Sequence, residues 1–131
     1  MALTEEQSIL EDLSPPFEVR EPEGRLGPFV FCSPHSGRIY TRHFLEKSRL
    51  DARTLRRSED CFVDELYADA AALGAPLLTA RFPRAYLDAN REPYELDPEL
   101  FLEMLPDWAN QRSIRVAGGL GTIARIVADG E

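Results

Sequence analysis

The stretch Phe29-Val30-Phe31-Cys32-Ser33 is a continuous apolar run that stops at Pro34. A short run rich in aromatic and β-branched residues reads as a buried strand rather than a helix. Pro34 and Gly37 terminate it. A second apolar run, Pro76 to Ala80, reads the same way, and Arg84 to Asp88 reads as a third short strand after a tight turn at Phe82-Pro83. Between the first two runs, Ser58-Glu59-Asp60 offers a helix start. After it Phe62, Val63, Leu66, Tyr67, Ala70 and Leu73 follow the helical period, and Gly74 closes the element. Strand, helix, strand, strand implies an α/β layout, not a bundle or a sandwich. Buried strands need cover on both faces, and few helices are available to supply it. The expectation is therefore an incomplete α/β domain.

The flanking segments are read more coarsely. Residues 1–28 form a polar, acidic lead-in with a short helix at Glu5 to Leu13 and irregular chain after it; residues 29–131 form the domain. Thr41 to Glu46 predicts a short helix. Pro98 to Met104 predicts another, with proline in the first turn, where its missing N–H does no harm. Ile114 to Ala117 and Ile123 to Val127 each predict a strand, on either side of "GGLG" at 118–121.

Charge and composition narrow the function class. The chain has 131 residues and a net charge of −8, which disfavours a nucleic-acid binder. No apolar run approaches a membrane span, and no signal peptide opens the sequence, so a cytoplasmic protein is expected. The basic residues are mostly arginine, which favours forked contacts to carboxylate or phosphate. Genomic composition explains that bias equally well. Cys32 and Cys61 form no C-x-x-C pair, so neither a redox nor a zinc-ribbon function is supported. Cys32 reads as a small core residue.

The candidate site residues follow the strand ends. His35 lies just past the carboxyl end of the first strand, the edge where ligands gather in open α/β sheets. A neutral imidazole there suits a metal ligand or a general base, and position alone also allows a solvated loop histidine. Asp60 opens the expected helix, where it would cap backbone amides or aim a rigid carboxylate at a metal. Asp64 and Glu65 read as solvent-facing or arginine-paired acids. In "YLDANRE", Arg91 can grip a carboxylate with two parallel hydrogen bonds and Asn90 can add a third. Arg84 is a second cation for a carboxylate or for holding Asp88. The "GGLG" stretch lacks the spacing and lysine of a phosphate loop and reads as a tight turn that can line a cleft. His43 reads as a surface residue.

These stretches, taken in order, resemble the N-formylglutamate amidohydrolase family. The matching pieces are "SPHSGRIY" at 33–40, "LRRSEDCFVDELY" at 55–67, "LGAPLLTARFPRAYLDANRE" at 73–92, "ELDPELF" at 95–101 and "GGLGTIARIV" at 118–127. The resemblance implies a three-layer α/β/α fold related to the zinc carboxypeptidases. It implies zinc-dependent cleavage of N-formyl-L-glutamate or a related N-acyl amino acid to formate and the amino acid, typically in histidine breakdown. It makes His35 the first zinc ligand and Asn90-Arg91, with Arg84, the carboxylate-binding set. In the related peptidases the acidic ligand follows the histidine by three residues, where this chain has Arg38, so Asp60 is inferred as the carboxylate ligand.

The same resemblance implies a shortfall. Family members carry a second zinc histidine and a catalytic glutamate in a further half that has no counterpart in this sequence. The expectation is the first part of an active site, weak or inactive alone, completed by a missing half or a second chain. A non-catalytic binding or assembly module retaining the fold is the alternative.

Overall fold

A computed structural model describes residues 4–24 and 27–127. It is a mixed α/β structure built on a three-stranded sheet with the order β1-β3-β2. The central strand β3, Leu77–Ala80, pairs antiparallel with β1, Phe17–Arg20, and parallel with β2, Phe31–Ser33. The registers set Phe17 opposite Ala80 and Ser33 opposite Thr79. Leu77, Thr79 and Ala80 are buried, as befits the middle strand.

Both neighbours are edge strands, and this corrects the sequence reading twice. The expected buried strand at 29–33 shortens to Phe31–Ser33, with Phe29, Val30 and Phe31 exposed and only Ser33 buried within β2. Cys32 is exposed and is not a core residue. The lead-in expected to be irregular after its helix contains β1, all four of whose residues are exposed. Such a strand is held by ladder hydrogen bonds to β3 and carries no burial pattern for a sequence reader to find.

The helices are short. The first, α1 at Glu5–Asp12, starts with a reciprocal capping box between Thr4 and Gln7. Thr41 caps α2, Arg42–Lys47, and Asp51 caps α3, Ala52–Leu55. The long helix expected from residue 58 to Leu73 does not form. In its place stand a 3₁₀ turn at Arg56–Ser58, a single turn α4 at Val63–Leu66 and another 3₁₀ turn at Ala68–Ala70. Phe62 has φ 64°, a left-handed backbone that is uncommon for an aromatic residue, and it separates Asp60 from α4. Leu66 and Leu73 are 78% and 72% exposed, so the helical period does not mark a core face here.

Three further expectations are revised. Arg84 to Asp88 is a turn, closed by the Tyr86 amide on the Pro83 carbonyl at 3.0 Å, and not a strand. Ile114–Ala117 is a helical turn, α5, in which Ser113 Oγ caps the Val116 amide at 3.0 Å. Residues 123–127 contribute only an isolated bridge between Leu120 and Ala124. The helix expected from Pro98 to Met104 is a 3₁₀ turn, Pro98–Leu100, capped by Asp97. Leu55, Leu77 and Val116 are among the buried apolar side chains, and the interior also holds polar groups: Ser33, His35, Ser36, Asp88 and Glu95. Among the described residues no helix is long and apolar enough to cross a membrane.

Candidate functional site

Strand β2 delivers its chain to Ser33, and the turn that follows places His35 in a buried position, 6% exposed. The turn is pressed against the segment leaving β3. The Ile39 amide bonds the Arg81 carbonyl at 2.9 Å, and a Cβ on Gly37 would lie 1.9 Å from the Phe82 carbonyl oxygen. Glycine is therefore the residue that lets the two backbones meet here.

Asp60 is tied to this turn through its backbone. Its amide donates to the His35 carbonyl at 3.1 Å, and its own carbonyl accepts from Ser36 Oγ at 3.0 Å. Ser36 Oγ in turn accepts the Asp64 amide at 3.3 Å. The Asp60 carboxylate caps no helix; Oδ2 instead faces His35 Nδ1 at 3.3 Å. The imidazole side chain is 8% exposed and the carboxylate 50%, so Asp60 opens the pair to solvent.

The other ring nitrogen meets a second carboxylate. His35 Nε2 lies 2.8 Å from Asp88 Oδ1, which also accepts the Asn90 amide at 2.9 Å. Asp88 Oδ2 accepts Arg84 Nε at 3.1 Å and faces Arg91 Nη2 at 3.1 Å. Burial alone would push the Asp88 carboxyl up. The bonds from His35 and the Asn90 amide, with the nearby His35 and Arg84 charges, outweigh it and hold Asp88 below its ordinary range. Asp88 thus presents a fixed carboxylate to Nε2, which orients the ring and leaves Nδ1 facing Asp60.

A cavity of about 390 Å³ opens beside these groups, lined by Asp60, Asp88, Arg84, Arg57, Leu120 and Gly121 among others. Arg84 spends its Nε on Asp88 and shows no other hydrogen bond among the described residues. Arg91 is more enclosed, with its side chain 10% exposed. Its Nε donates to the Leu120 carbonyl at 2.9 Å and Nη1 to the Asn90 carbonyl at 2.8 Å. His43 lies outside this cluster and pairs with Glu5 at 2.8 Å. Asp64 and Glu65 both pair with Arg38.

The family model for N-formylglutamate amidohydrolase matches residues 27–131. The chain belongs to the N-formylglutamate amidohydrolase family. A crystal structure of N-formylglutamate amidohydrolase from Ralstonia eutropha JMP134 is similar to it, with a TM-score of 0.75 and 36% sequence identity. That likeness covers 86% of this chain and 39% of the Ralstonia chain, so the present sequence spans well under half of that protein's length. No curated protein matches the sequence.

The His35–Asp60 contact is a long hydrogen bond whose spacing also matches the edge of a tetrahedral metal site. A charge-assisted N–H···O contact settles at about 2.7–2.9 Å. Two ligand atoms at about 2.0–2.2 Å from a tetrahedral zinc lie about 3.3–3.6 Å apart. The observed 3.3 Å falls in the second range. A carboxylate on the far ring nitrogen, as Asp88 supplies, is the usual support of a zinc-binding histidine. Those two donors fit two positions of a zinc ion. Among the described residues no group of three or more His, Cys, Asp or Glu side chains converges on one point.

Of the residues singled out from sequence, His35, Asp60 and Arg84 meet around Asp88 and the cavity. Arg91 joins them from the protein side, and Asn90 contributes its backbone, with its side chain exposed. Asp88 reads from sequence as part of "YLDANRE" and as a partner for Arg84, not as a partner for His35. The available signal is its place in Asp88-Ala89-Asn90-Arg91, two residues ahead of the Asn90-Arg91 pair.

Proposed function

We propose that the chain carries one part of a zinc amidohydrolase site, acting on N-formyl-L-glutamate or a related N-acyl amino acid to give formate and the amino acid. The cytoplasm, the histidine-breakdown setting and a three-layer α/β/α domain related to the zinc carboxypeptidases belong to the same proposal. The observation that carries it is the placement of His35 between Asp60 and Asp88, with Nδ1 3.3 Å from a half-exposed carboxylate and Nε2 held by a buried one.

His35 and Asp60 would hold the zinc, and Asp88 would keep the imidazole in its ligating tautomer. When bound, zinc supplies Lewis acidity toward a carbonyl and makes a water acidic enough to react near neutral pH. Arg84, Asn90 and Arg91 would take the substrate carboxylate, with Arg84 foremost because it lines the cavity. The remaining ligand and the acid that protonates the leaving amine would come from a further stretch of polypeptide, in a longer chain or a second one. The family match supports the chemistry, and the 39% coverage of the Ralstonia chain agrees with a site shared with further residues.

Calorimetry with N-formyl-L-glutamate, with and without zinc, tests the proposal alongside an assay for released formate. Saturable binding that a chelator weakens supports it. Absence of both binding and formate release in zinc-loaded protein overturns it. The convergence of only two donors among the described residues favours a second reading, a non-catalytic binding module. Binding that is indifferent to chelator, with no formate released, selects that reading.

A further inference from the structure

We infer that Leu120–Thr122 is a positioning element of this site: it sets where the Asp88 carboxylate and the Arg91 guanidinium stand, and through Asp88 where the His35 ring stands. The inference deepens the amidohydrolase reading and rests on it for the role of His35.

Two carbonyls of this stretch reach the site directly. The Thr122 carbonyl accepts the Asp88 amide at 2.8 Å, and the Leu120 carbonyl accepts Arg91 Nε at 2.9 Å. These bonds hold the backbone of Asp88 and the side chain of Arg91, which meets Asp88 Oδ2 at 3.1 Å. Displacing the stretch therefore moves two of the groups that fix the carboxylate.

The stretch is itself clamped from its other side by the turn after Arg91. Thr122 donates its amide to the Glu95 carbonyl at 2.8 Å and its hydroxyl to the Glu92 carbonyl at 2.6 Å. Gly121, between the two working carbonyls, packs so closely that a Cβ would lie 2.5 Å from the Glu95 carbonyl oxygen. No side chain fits there unless the backbones part. Gly118, in the same glycine-rich stretch, differs: a Cβ there would meet nothing nearer than 3.4 Å. Gly121 also lines the cavity, so the stretch forms a wall of the site as well as its brace. A tight turn would need none of this directionality. The pattern is that of a support whose position is fixed by Glu92 and Glu95 and passed on to Asp88.

Nitrogen NMR of the metal-free protein tests this, because the chain has two histidines, His35 and His43, and their ring signals separate readily. The parent should show one sharp set of His35 ring signals, set by the two carboxylates that face the ring. Gly121→Ala and Thr122→Val should shift or broaden that set, because the Asp88 carboxylate moves. Gly118→Ala and Thr122→Ser, which spare the clamp, should retain it, and the His43 ring should be unchanged throughout. Retention of the parent signals in both Gly121→Ala and Thr122→Val overturns the inference. So does collapse of the whole amide spectrum in both, since the stretch would then be merely structural. A parent that fails to bind zinc, in a series that shows the expected His35 signal pattern, removes the zinc reading and leaves the positioning role standing.

Discussion

His35 Nε2 lies 2.8 Å from Asp88 Oδ1, and both residues are buried. Asp88 also gathers Arg84, Arg91 and the Asn90 amide, so it balances two arginines as well as the imidazole. Removing its charge strands these partners. Asp88→Asn is expected to cost about 3 kcal/mol or more of stability, the usual result of breaking a buried charged cluster. Urea denaturation measures it. Zinc affinity of the same variant should fall about 10- to 100-fold through loss of support for the ring.

Asp60 should behave in the opposite way. Its carboxylate is 50% exposed and meets His35 at a long 3.3 Å, so little folding energy depends on it. Asp60→Asn is expected to change stability by no more than about 0.5 kcal/mol, as for most surface substitutions. Its zinc binding should nevertheless be lost. Parallel denaturation and chelator-competition experiments on the Asp60 and Asp88 variants separate a ligand from its support.

The two arginines divide similarly. Arg84 reaches the cavity with most of its guanidinium uncommitted among the described residues, and Arg84→Ala should weaken N-formyl-L-glutamate binding by about 1.5–3 kcal/mol. Arg91 contacts Leu120, Asn90 and Asp88 through three different nitrogens. A lysine has a point charge and cannot reproduce that fork. Arg91→Lys is therefore expected to lower the thermal midpoint, whereas Arg84→Lys should leave it nearly unchanged. Differential scanning calorimetry of the pair checks the contrast.

Acid stability should report a second buried carboxylate. Burial pushes the Asp97 carboxyl up, but the hydrogen bond from Arg125 at 2.7 Å and the Glu99 amide hold it below its ordinary 3.8. A group whose folded pKa is depressed stabilises the fold above its unfolded value and loses that contribution as pH falls through the folded one. The parent should thus lose stability as pH drops below about 3.8. In Asp97→Asn that part of the pH dependence should vanish, leaving a flatter profile in urea titrations at successive pH values.

Local sequence pattern points to the candidate site residues more readily than to the elements of the fold, for physical reasons. His35 follows a run ended by proline, and Asn90-Arg91 are adjacent, so local pattern exposes both. The Thr4–Gln7 capping box likewise marks α1. The helix expected after Asp60 failed because Phe62 takes a left-handed backbone, which apolar periodicity does not encode. Ile114–Ala117 has β-branched residues that suggest a strand, yet Ser113 just ahead of it is a helix cap, and the cap decides. Strand β1 is exposed along its length and exists only because β3 offers a free edge. The His35–Asp88 bond spans 53 residues of sequence and depends on Gly37 letting two backbones meet, so no local pattern could reveal it.

Zinc affinity of the parent and of His35→Ala, measured at equilibrium by competition with a zinc-binding dye, bears most directly on the central claim. Saturable binding of one zinc per parent chain, lost in His35→Ala, is the expected result. A parent with no saturable zinc binding, or a His35→Ala protein that binds zinc as tightly as the parent, would contradict the assignment of His35 as a ligand.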